Sequence, residues 1–431
     1  MKRNPFGHTL QMLSLSLSLA LLTGCAFMDV DFTTTKDTAS IEAEPVPLED
    51  ALCTLARFTE NEGPSTKSSR RIESIETFFF TPPTKSNSSI PDAYIVNYEK
   101  SEGFAVLGAN TAVSSIIAVT SDGSLCGEDL RKKVPALNEK ELWDADNGEF
   151  YPVDGGRDFA LLLIRCGLQR RNRSHTKSSE DVPKELFTTE PLTHLRWGQD
   201  PPFNTYCTAG GKKRLTGCSI TALCQILATL REPGELYVDG NALSWEEMTC
   251  APEVKLLSSR GREDVPKLLG ATFNCTGKMF LNGGTAISAA GIRSTMKNDL
   301  AFPNVVNNSG FSYSDKLLAL TSEMLSEGKP VFISAVLRLA DISAGAHSWV
   351  VDGAKYSPDG EYLLHFNFGW EGLCNGYFSP SCVNPSMGDS YDSPTLQYDT
   401  PAKDKKFTWH FRLLSYDLPP SGTSVYLETA K

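Results

Sequence analysis

Several things are missing from this sequence, and each absence excludes a class of protein. Its 11 cysteines include no Cys-x-x-Cys pair, so nothing supports a zinc ribbon, an iron–sulfur ligand set or a thioredoxin-type site. Positive charge is outweighed as well: 41 Lys and Arg against 52 Asp and Glu give a formal net charge of -11. This balance argues against nucleic acid as a partner and against a polybasic contact with a membrane. We therefore expect no metal, no other cofactor and no bound nucleic acid.

Long apolar runs are also missing beyond the N-terminus. One run, from Leu10 to Leu22, follows the basic residues Lys2 and Arg3 and is too short to span a bilayer. A short apolar run behind a basic start is typical of an export signal. We predict that residues 1–24 are a signal peptide.

The predicted signal ends in Leu-Thr-Gly-Cys at residues 22–25, which resembles the lipobox of bacterial lipoproteins. The resemblance implies that the thiol of Cys25 is acylated and that the chain is cut before it. Two or three acyl chains would anchor the protein stably to a membrane. We expect a lipid-anchored protein of the bacterial cell envelope, at the outer membrane or the surface. The alternative is an unlipidated signal peptide in which Cys25 is incidental.

A cysteine lies where a turn meets a predicted helix. Gly217 precedes Cys218, and Glu232 and Pro233 close the segment. The apolar residues between them recur at helical spacing on one face: Ile220, Leu223, Cys224 and Leu227. Backbone N–H groups and the positive end of the helix dipole at a first turn favour the thiolate, which is the nucleophilic form of cysteine. Cys218 is therefore a candidate nucleophile, with a small buried apolar residue as the alternative.

A downstream segment supplies a candidate base. His347 enters a predicted strand, and Asn367 is carried by the next one. An imidazole can take the proton of a thiol and later give it to the leaving amine. An Asn side-chain oxygen can accept the second ring N–H and so fix the tautomer. Alone, such a histidine is more often structural, but the order Cys, His, Asn favours a catalytic function.

Together these motifs resemble the streptopain family of papain-like cysteine peptidases. The resemblance covers roughly residues 190 to 380 and rests on Trp197-Gly198-Gln199, Gly217-Cys218, Leu243 to Met248, Gly345 to Gly353 and His365 to Trp370. It implies that Cys218 is the nucleophile, His347 the general base and acid, and Asn367 the residue that orients the histidine. Gln199 would donate to the oxyanion beside the Cys218 backbone N–H. Trp370 would shield the His and Asn pair from water.

The sequence departs from the pattern of the family at a few positions. Ala346 stands where a second glycine is frequent, and Phe368 where a tryptophan is frequent, which bears on the shape of the substrate pocket. Cys224 replaces a small residue and is expected to be a buried structural sulfur. Because an exported protein can form disulfides, pairs of Cys374 with Cys382, or of Cys207 with a neighbour, are candidates.

The chain is long enough for two hydrophobic cores, and its composition changes along its length. Residues 25–45 are polar and threonine-rich, as in a flexible tether. Residues 46–168 carry short strand patterns and resemble the pro-domain of the same family, which implies a small α+β inhibitory unit. Residues 169–185 are polar and charged, and we interpret them as a linker and maturation region. For residues 186–431 the resemblance implies a papain-like α+β catalytic domain, with a helical lobe packed on an antiparallel sheet lobe.

These interpretations predict a secreted, lipid-anchored cysteine endopeptidase that is made as a zymogen. Its partners would be protein or peptide substrates, its own pro-domain as inhibitor, and the membrane through Cys25. One cut within residues 169–185 would both relieve the inhibition and release the catalytic domain. Two alternatives stay open: a catalytically silent inhibitor or binding protein on the same scaffold, and a thiol amidase or transglutaminase. Peptide cleavage would discriminate between them.

Overall fold

The structure is a computed structural model that describes residues 43–60, 70–80, 90–131, 143–144, 149–150, 155–169, 185–281, 284–310, 313–339, 342–383 and 407–429. The predicted signal peptide, Cys25, most of the tether and most of the linker lie outside these residues. From residue 42 onwards the chain forms one compact unit.

The helices of the described residues are α1 (Leu48–Glu60), α2 (Gly127–Arg131), α3 (Gly155–Gln169), α4 (Cys218–Leu230), α5 (Trp245–Thr249), α6 (Ser259–Cys275), α7 (Ala289–Asn298), α8 (Asp315–Ser326) and α9 (Pro380–Val383). Helix α4 begins at Cys218, as its apolar spacing predicts. In the part of the chain that the structure describes, we find no helix with the length and apolar character needed to cross a membrane.

The strands are β1 (Ile72–Phe78), β2 (Ala93–Tyr98), β3 (Phe104–Gly108), β4 (Ile116–Thr120), β5 (Trp143–Asp144), β6 (Glu149–Phe150), β7 (Thr208–Ala209), β8 (Lys212–Lys213), β9 (Glu235–Val238), β10 (Asn241–Ala242), β11 (Met279–Leu281), β12 (Gly284–Ala286), β13 (Val306–Gly310), β14 (Val331–Leu339), β15 (Ile342–Tyr356), β16 (Tyr362–Asn367), β17 (Gly376–Phe378), β18 (Phe407–Ser415) and β19 (Ser424–Leu427).

Ten of these strands form one large sheet in the order β1-β2-β3-β4-β17-β16-β15-β14-β18-β13. Every neighbouring pair in it runs antiparallel. A smaller sheet of three strands has the order β10-β9-β19. Helices α4 to α7 come between the first and second halves of the large sheet in the sequence. The predicted α+β class, with helices packed on an antiparallel sheet, is confirmed.

The large sheet is continuous across the predicted boundary between pro-domain and catalytic domain. Strand β4 pairs with β17, so that Ala118 lies opposite Phe378. The backbones approach closely here, since a Cβ on Gly376 would lie 2.2 Å from the Val119 carbonyl oxygen. A second hydrophobic core also draws on both sides of the boundary, with Ala51, Leu55, Phe58 and Val119 on one side and Leu363 and Tyr377 on the other. The division into two domains stays a prediction, and the two parts share a sheet and a core.

Helix α4 is the element that brings the candidate nucleophile to the sheet. It is buried from Ser219 to Ala228 and packs against β14 and β15. The apolar side chains along this stretch therefore leave water on folding. Each large one contributes about 1.5–3 kcal/mol to the stability of the fold when it is fully buried. Because the helix is fixed along its whole length, its first residue has a fixed position above β15.

Candidate active site

Cys218 is the first residue of α4, and the glycine before it shapes its surroundings. Gly217 has a φ of 86°, and a Cβ there would lie 2.7 Å from the Thr285 carbonyl oxygen, so glycine is required. No side chain caps this end of the helix. Ile220 N and Thr221 N donate to the Gly217 carbonyl, so the N–H groups of Cys218 and Ser219 are the ones at this helix end that can serve an anion.

The start of α4 is joined to β15 by a direct hydrogen bond between side chains. The hydroxyl oxygens of Ser219 and Ser348 lie 2.9 Å apart, and both residues are 3% exposed. Ser219 follows Cys218 and Ser348 follows His347 in the sequence. The two residues that the sequence singled out as nucleophile and base are therefore brought to adjoining positions on a helix and a strand.

His347 is buried and is held at one ring nitrogen. Its Nε2 lies 3.0 Å from the carbonyl oxygen of Phe368, so Nε2–H donates to that oxygen and the lone pair remains on Nδ1. The indole Nε1 of Trp370 is 3.3 Å from the same Nε2 and can donate to it only when Nε2 carries no proton. The shorter bond to Phe368 favours the tautomer with a basic Nδ1.

Aromatic rings surround the imidazole. Phe159 of α3 lies 5.0 Å from the His347 ring centroid, Trp370 lies 5.7 Å away and Trp349 lies 6.2 Å away. Burial among these rings lowers the pKa of His347 to about 4, although the Phe368 carbonyl opposes the shift. Burial also raises the pKa of the Cys218 thiol, against hydrogen bonds from Ser348 and Ser219 that lower it. Near neutral pH both groups are therefore uncharged in this structure.

Asn367 ends β16, opposite Val350 of β15, but makes its hydrogen bonds elsewhere. Its amide nitrogen donates to the Leu195 carbonyl at 2.8 Å. Its oxygen accepts from Gly369 N at 3.2 Å and from the Gln225 amide at 3.3 Å. In this arrangement Asn367 shapes the turn that carries the Phe368 carbonyl. Direct orientation of the histidine by Asn367 stays a prediction.

Gln199 supplies a buried donor close to the nucleophile. The residue is 5% exposed, and its amide Nε2 has no hydrogen-bond partner among the residues that the structure describes. Its backbone carbonyl accepts from Thr216 N at 3.1 Å, two residues before Cys218. Thr221 of α4 fixes the same loop by donating to the Gly198 carbonyl at 3.1 Å. A buried amide without a partner costs stability. Such a cost is common at functional sites, where the missing partner is a ligand atom.

The other residues that the sequence singled out lie away from this centre. Cys224 is fully buried, as predicted, and burial raises the pKa of its thiol. His365 lies on β16, with Nδ1 2.6 Å from the Asp352 carboxylate. Cys207 and Cys382 carry free thiols in the structure, so the disulfides considered for them are not formed. Within the described residues no group of three or more potential metal ligands occurs.

Three features of the site escaped sequence reasoning. They are the Ser219–Ser348 bond, the Phe368 carbonyl on the imidazole and Phe159 on its face. A serine directly after each candidate catalytic residue was a visible signal, but the sequence does not show that the two meet. Backbone carbonyls have no sequence signature. Phe159 lies within residues 46–168, which resemble a pro-domain, and no motif connected it with the histidine.

Comparison with known proteins agrees with the motifs. Residues 197–378 match the model of the Peptidase C10 family. This segment is similar to a peptidase C10 domain. It contains Cys218, His347, Asn367, Gln199 and Trp370, and the resemblance to the streptopain family is confirmed.

The chain is also similar to individual named proteins, two in sequence and one in structure. The thiol protease/hemagglutinin PrtT of Porphyromonas gingivalis is 26% identical over 335 residues, which are 68% of this chain and 34% of PrtT. Streptopain of Streptococcus pyogenes is 36% identical over 81 residues, 19% of this chain and 18% of streptopain. The chain thus spans about a third of the length of PrtT and less than a fifth of streptopain. Prointerpain A of Prevotella intermedia is similar in structure, with a TM-score of 0.47 and 15% identity over 79% of this chain and 98% of that one.

The burial of His347 predicts a loss of stability in acid. Its pKa of about 4 in the folded chain is below its ordinary value of 6.5, so between these values the unfolded chain binds the extra proton. Stability should fall as the pH drops from about 6.5 to 4, by about 3 kcal/mol from this residue. Urea unfolding across this range should show that His347→Gln removes that part of the pH dependence.

An unchanged acid limb in His347→Gln would contradict the burial of a neutral imidazole.

Proposed function

We propose that the chain is a cysteine endopeptidase in which Cys218 is the nucleophile and His347 the general base and acid. The observation that carries the proposal is the unpartnered buried amide of Gln199, tied through Thr216 to the start of α4. A peptidase of this kind needs a donor there, because negative charge develops on the carbonyl oxygen that the thiol attacks. The match of residues 197–378 to the Peptidase C10 family and the similarity to a thiol protease support the same reaction.

The proposed reaction uses each group in turn. Nδ1 of His347 takes the proton of Cys218 while the sulfur attacks the substrate carbonyl carbon. The resulting oxyanion accepts hydrogen bonds from the Gln199 amide and the Cys218 N–H. When the tetrahedral adduct collapses, the imidazolium protonates the leaving amine and a thioester remains. His347 then deprotonates a water molecule, which cleaves the thioester, releases the acid and restores the thiol.

The Phe368 carbonyl supports the histidine through this cycle. An acceptor on Nε2–H fixes the tautomer in the resting site and stabilises the imidazolium that forms after proton transfer. Trp370 stacks on the ring at an interplanar angle of 21° and limits access of water to this bond. Asn367, one residue before Phe368, holds the turn by accepting from Gly369 N.

The N-terminal part accounts for latency in this proposal. Phe159 of α3 covers the imidazole, and burial keeps His347 neutral. A neutral imidazole with a pKa of about 4 is a weak base for a thiol whose own pKa is raised. Displacement of α3 would return the imidazole to water and raise its pKa toward the ordinary value. In this sense residues 46–168 act as an intramolecular inhibitor.

A single cut in the linker would not by itself separate the two parts. The β4–β17 ladder and the shared core remain after the chain is broken. Lys355 of β15 also reaches α1, where Nζ donates to the Phe58 carbonyl at 3.1 Å. We therefore revise the coupling of activation to release: the cut removes the covalent link, and full activation follows when the N-terminal part leaves the sheet.

We further propose export and lipid anchoring at Cys25, which place the protein in the bacterial cell envelope. The support is the Leu-Thr-Gly-Cys sequence behind a short apolar run. Anchor and active site then lie on opposite sides of residues 169–185. The catalytic part would become soluble once it is cut and separated from the N-terminal part.

Cleavage of an unfolded protein by the matured chain tests the reaction. Cys218→Ala should abolish turnover, because no other group forms the thioester. Gln199→Ala should lower kcat by about 10²–10³-fold with a smaller change in KM, because its donor acts on the developing oxyanion. Cys224→Ala is the matched control, since Cys224 is a buried thiol on the same helix. It should keep turnover.

Hydrolysis of small amides without cleavage of any unfolded protein would favour the amidase alternative. Full turnover in Cys218→Ala would contradict the proposal outright.

The contact of Phe159 with the imidazole predicts a gain of reactivity. In the full-length chain, Phe159→Ala should raise the rate at which iodoacetamide alkylates Cys218 at pH 7 by about tenfold. The reason is that each unit of pKa recovered by His347 makes it a tenfold better proton acceptor. Phe302→Ala is the control, because Phe302 is also a buried phenylalanine but contacts Tyr416, away from the N-terminal part. Equal rates in the two variants would show that Phe159 does not suppress the site.

A further inference from the structure

Two serine hydroxyls meet between the candidate nucleophile and the candidate base. Ser219 Oγ and Ser348 Oγ are 2.9 Å apart, and Ser219 Oγ is 3.0 Å from the Ile287 carbonyl oxygen. Both serines are almost fully buried. They bond the helix that carries Cys218 to the strand that carries His347, next to both residues.

The protons of this pair can be accounted for. Each hydroxyl has one proton, and a carbonyl oxygen can only accept. The Ser219 proton therefore goes to Ile287, and the Ser348 proton goes to Ser219 Oγ. In this arrangement both protons are used within the pair and its carbonyl acceptor.

The same hydroxyls lie beside the thiol. Ser219 directly follows Cys218 in the sequence and Ser348 is bonded to Ser219, and hydrogen bonding from both serines lowers the pKa of the thiol against the effect of burial. A neutral thiol is a weak acceptor, whereas a thiolate competes strongly for donors. Since a hydroxyl turns about its C–O bond without moving a heavy atom, either proton can be redirected to sulfur when the thiol ionises.

Other charged groups near α4 are engaged elsewhere. The elements packed against α4 are α5, α6, α7, β14 and β15. Charged side chains on the three helices bond to partners away from the sulfur or face solvent. Glu247 bonds to Ser258, Arg260 to Asp264, Lys267 to Glu263 and Arg293 to the Val305 carbonyl, and Glu246, Arg262 and Lys297 are exposed. On β15, Asp352 bonds to His365. His347 is then the titratable side chain beside the two serines.

We propose that Ser219 and Ser348 are positioning residues of the active site, whose hydroxyls bond to Ile287 and to each other beside the thiol and turn onto the sulfur when Cys218 becomes a thiolate. The proposal rests on Cys218 as the nucleophile. It gives the thiolate neutral donors inside a buried site, where an unpaired charge would be costly. When both hydroxyls donate to the sulfur, two bonds to the thiolate replace the bond between the serines, so α4 and β15 stay joined through the sulfur.

A purely structural pair would behave differently. A buried hydrogen bond between two serines that only joins helix and strand would affect unfolding but not the ionisation of a neighbouring thiol. The pH dependence of thiol reactivity therefore separates the two cases. Alkylation can be followed at the Cys218 peptide by mass spectrometry, without any peptidase activity, so a failure here is distinguishable from a failure of the proposed function.

The experiment measures iodoacetamide alkylation of Cys218 between about pH 6 and 10 in the full-length chain. Ser219→Ala, Ser348→Ala and the double variant are compared with the parent. In each single variant the remaining serine hydroxyl loses its serine partner. In the double variant no serine hydroxyl remains to be unpaired, so this variant should fold best. Ser381→Ala is the matched control, because Ser381 is a buried serine bonded to Ser379 at 2.7 Å.

We expect the midpoint of alkylation in the double variant to move about one unit to higher pH, which is about tenfold slower alkylation at a fixed pH below it. Ser348→Thr, which keeps a hydroxyl, should restore the midpoint, and Ser381→Ala should leave it unchanged. A double variant that unfolds at the same urea concentration as the parent and keeps the parent midpoint would overturn the proposal. An equal shift in Ser381→Ala would also overturn it.

Discussion

The contact between the start of α4 and β15 is the constraint on which the site depends. A thiol and an imidazole act together only when their separation is fixed to within a fraction of an ångström. Here one helix, buried from its second residue onwards, is bonded to the central region of a ten-stranded sheet through Ser219 and Ser348. Gly217 allows the chain to enter that helix beside the Thr285 carbonyl without a clash. The contacts that pack α4 against the sheet therefore also fix the positions of the catalytic side chains.

Burial of the pair sets its chemical state. Desolvation disfavours the charged form of every group, so it lowers the pKa of His347 and raises that of Cys218. A site that is fully assembled can thus remain uncharged and unreactive. Phe159, from the N-terminal part, contributes to that burial directly. In our account latency depends on the loss of solvent around the imidazole.

The sequence predicted the features that follow from local patterns. The start of α4, the strands carrying His347 and Asn367 and the burial of Cys224 could be inferred from local patterns, and the resemblance to the family implied the α+β class of the catalytic domain. The motifs around Gln199, Cys218 and His347 also identified the family.

Features that depend on contacts distant in the chain could not be inferred. The hydrogen bonds of Asn367 go to Leu195, Gly369 and Gln225, and the imidazole bonds to a backbone carbonyl. The pairing of β4 with β17 joins segments more than 250 residues apart and depends on backbone approach at Gly376. Only the folded chain reveals which carbonyl or strand edge lies within reach.

Trapping the covalent intermediate tests the central claim most directly. The matured chain is mixed with an unfolded protein substrate, quenched in acid within milliseconds to seconds, digested and mapped by mass spectrometry. The account predicts a substrate-derived acyl group on the Cys218 peptide. Acid stops the hydrolysis step that normally removes this group, and the thioester itself survives the quench. His347→Ala should leave that peptide unmodified on the same timescale. An acyl group on another residue, or cleavage with no acylated peptide at any quench time, would contradict the account.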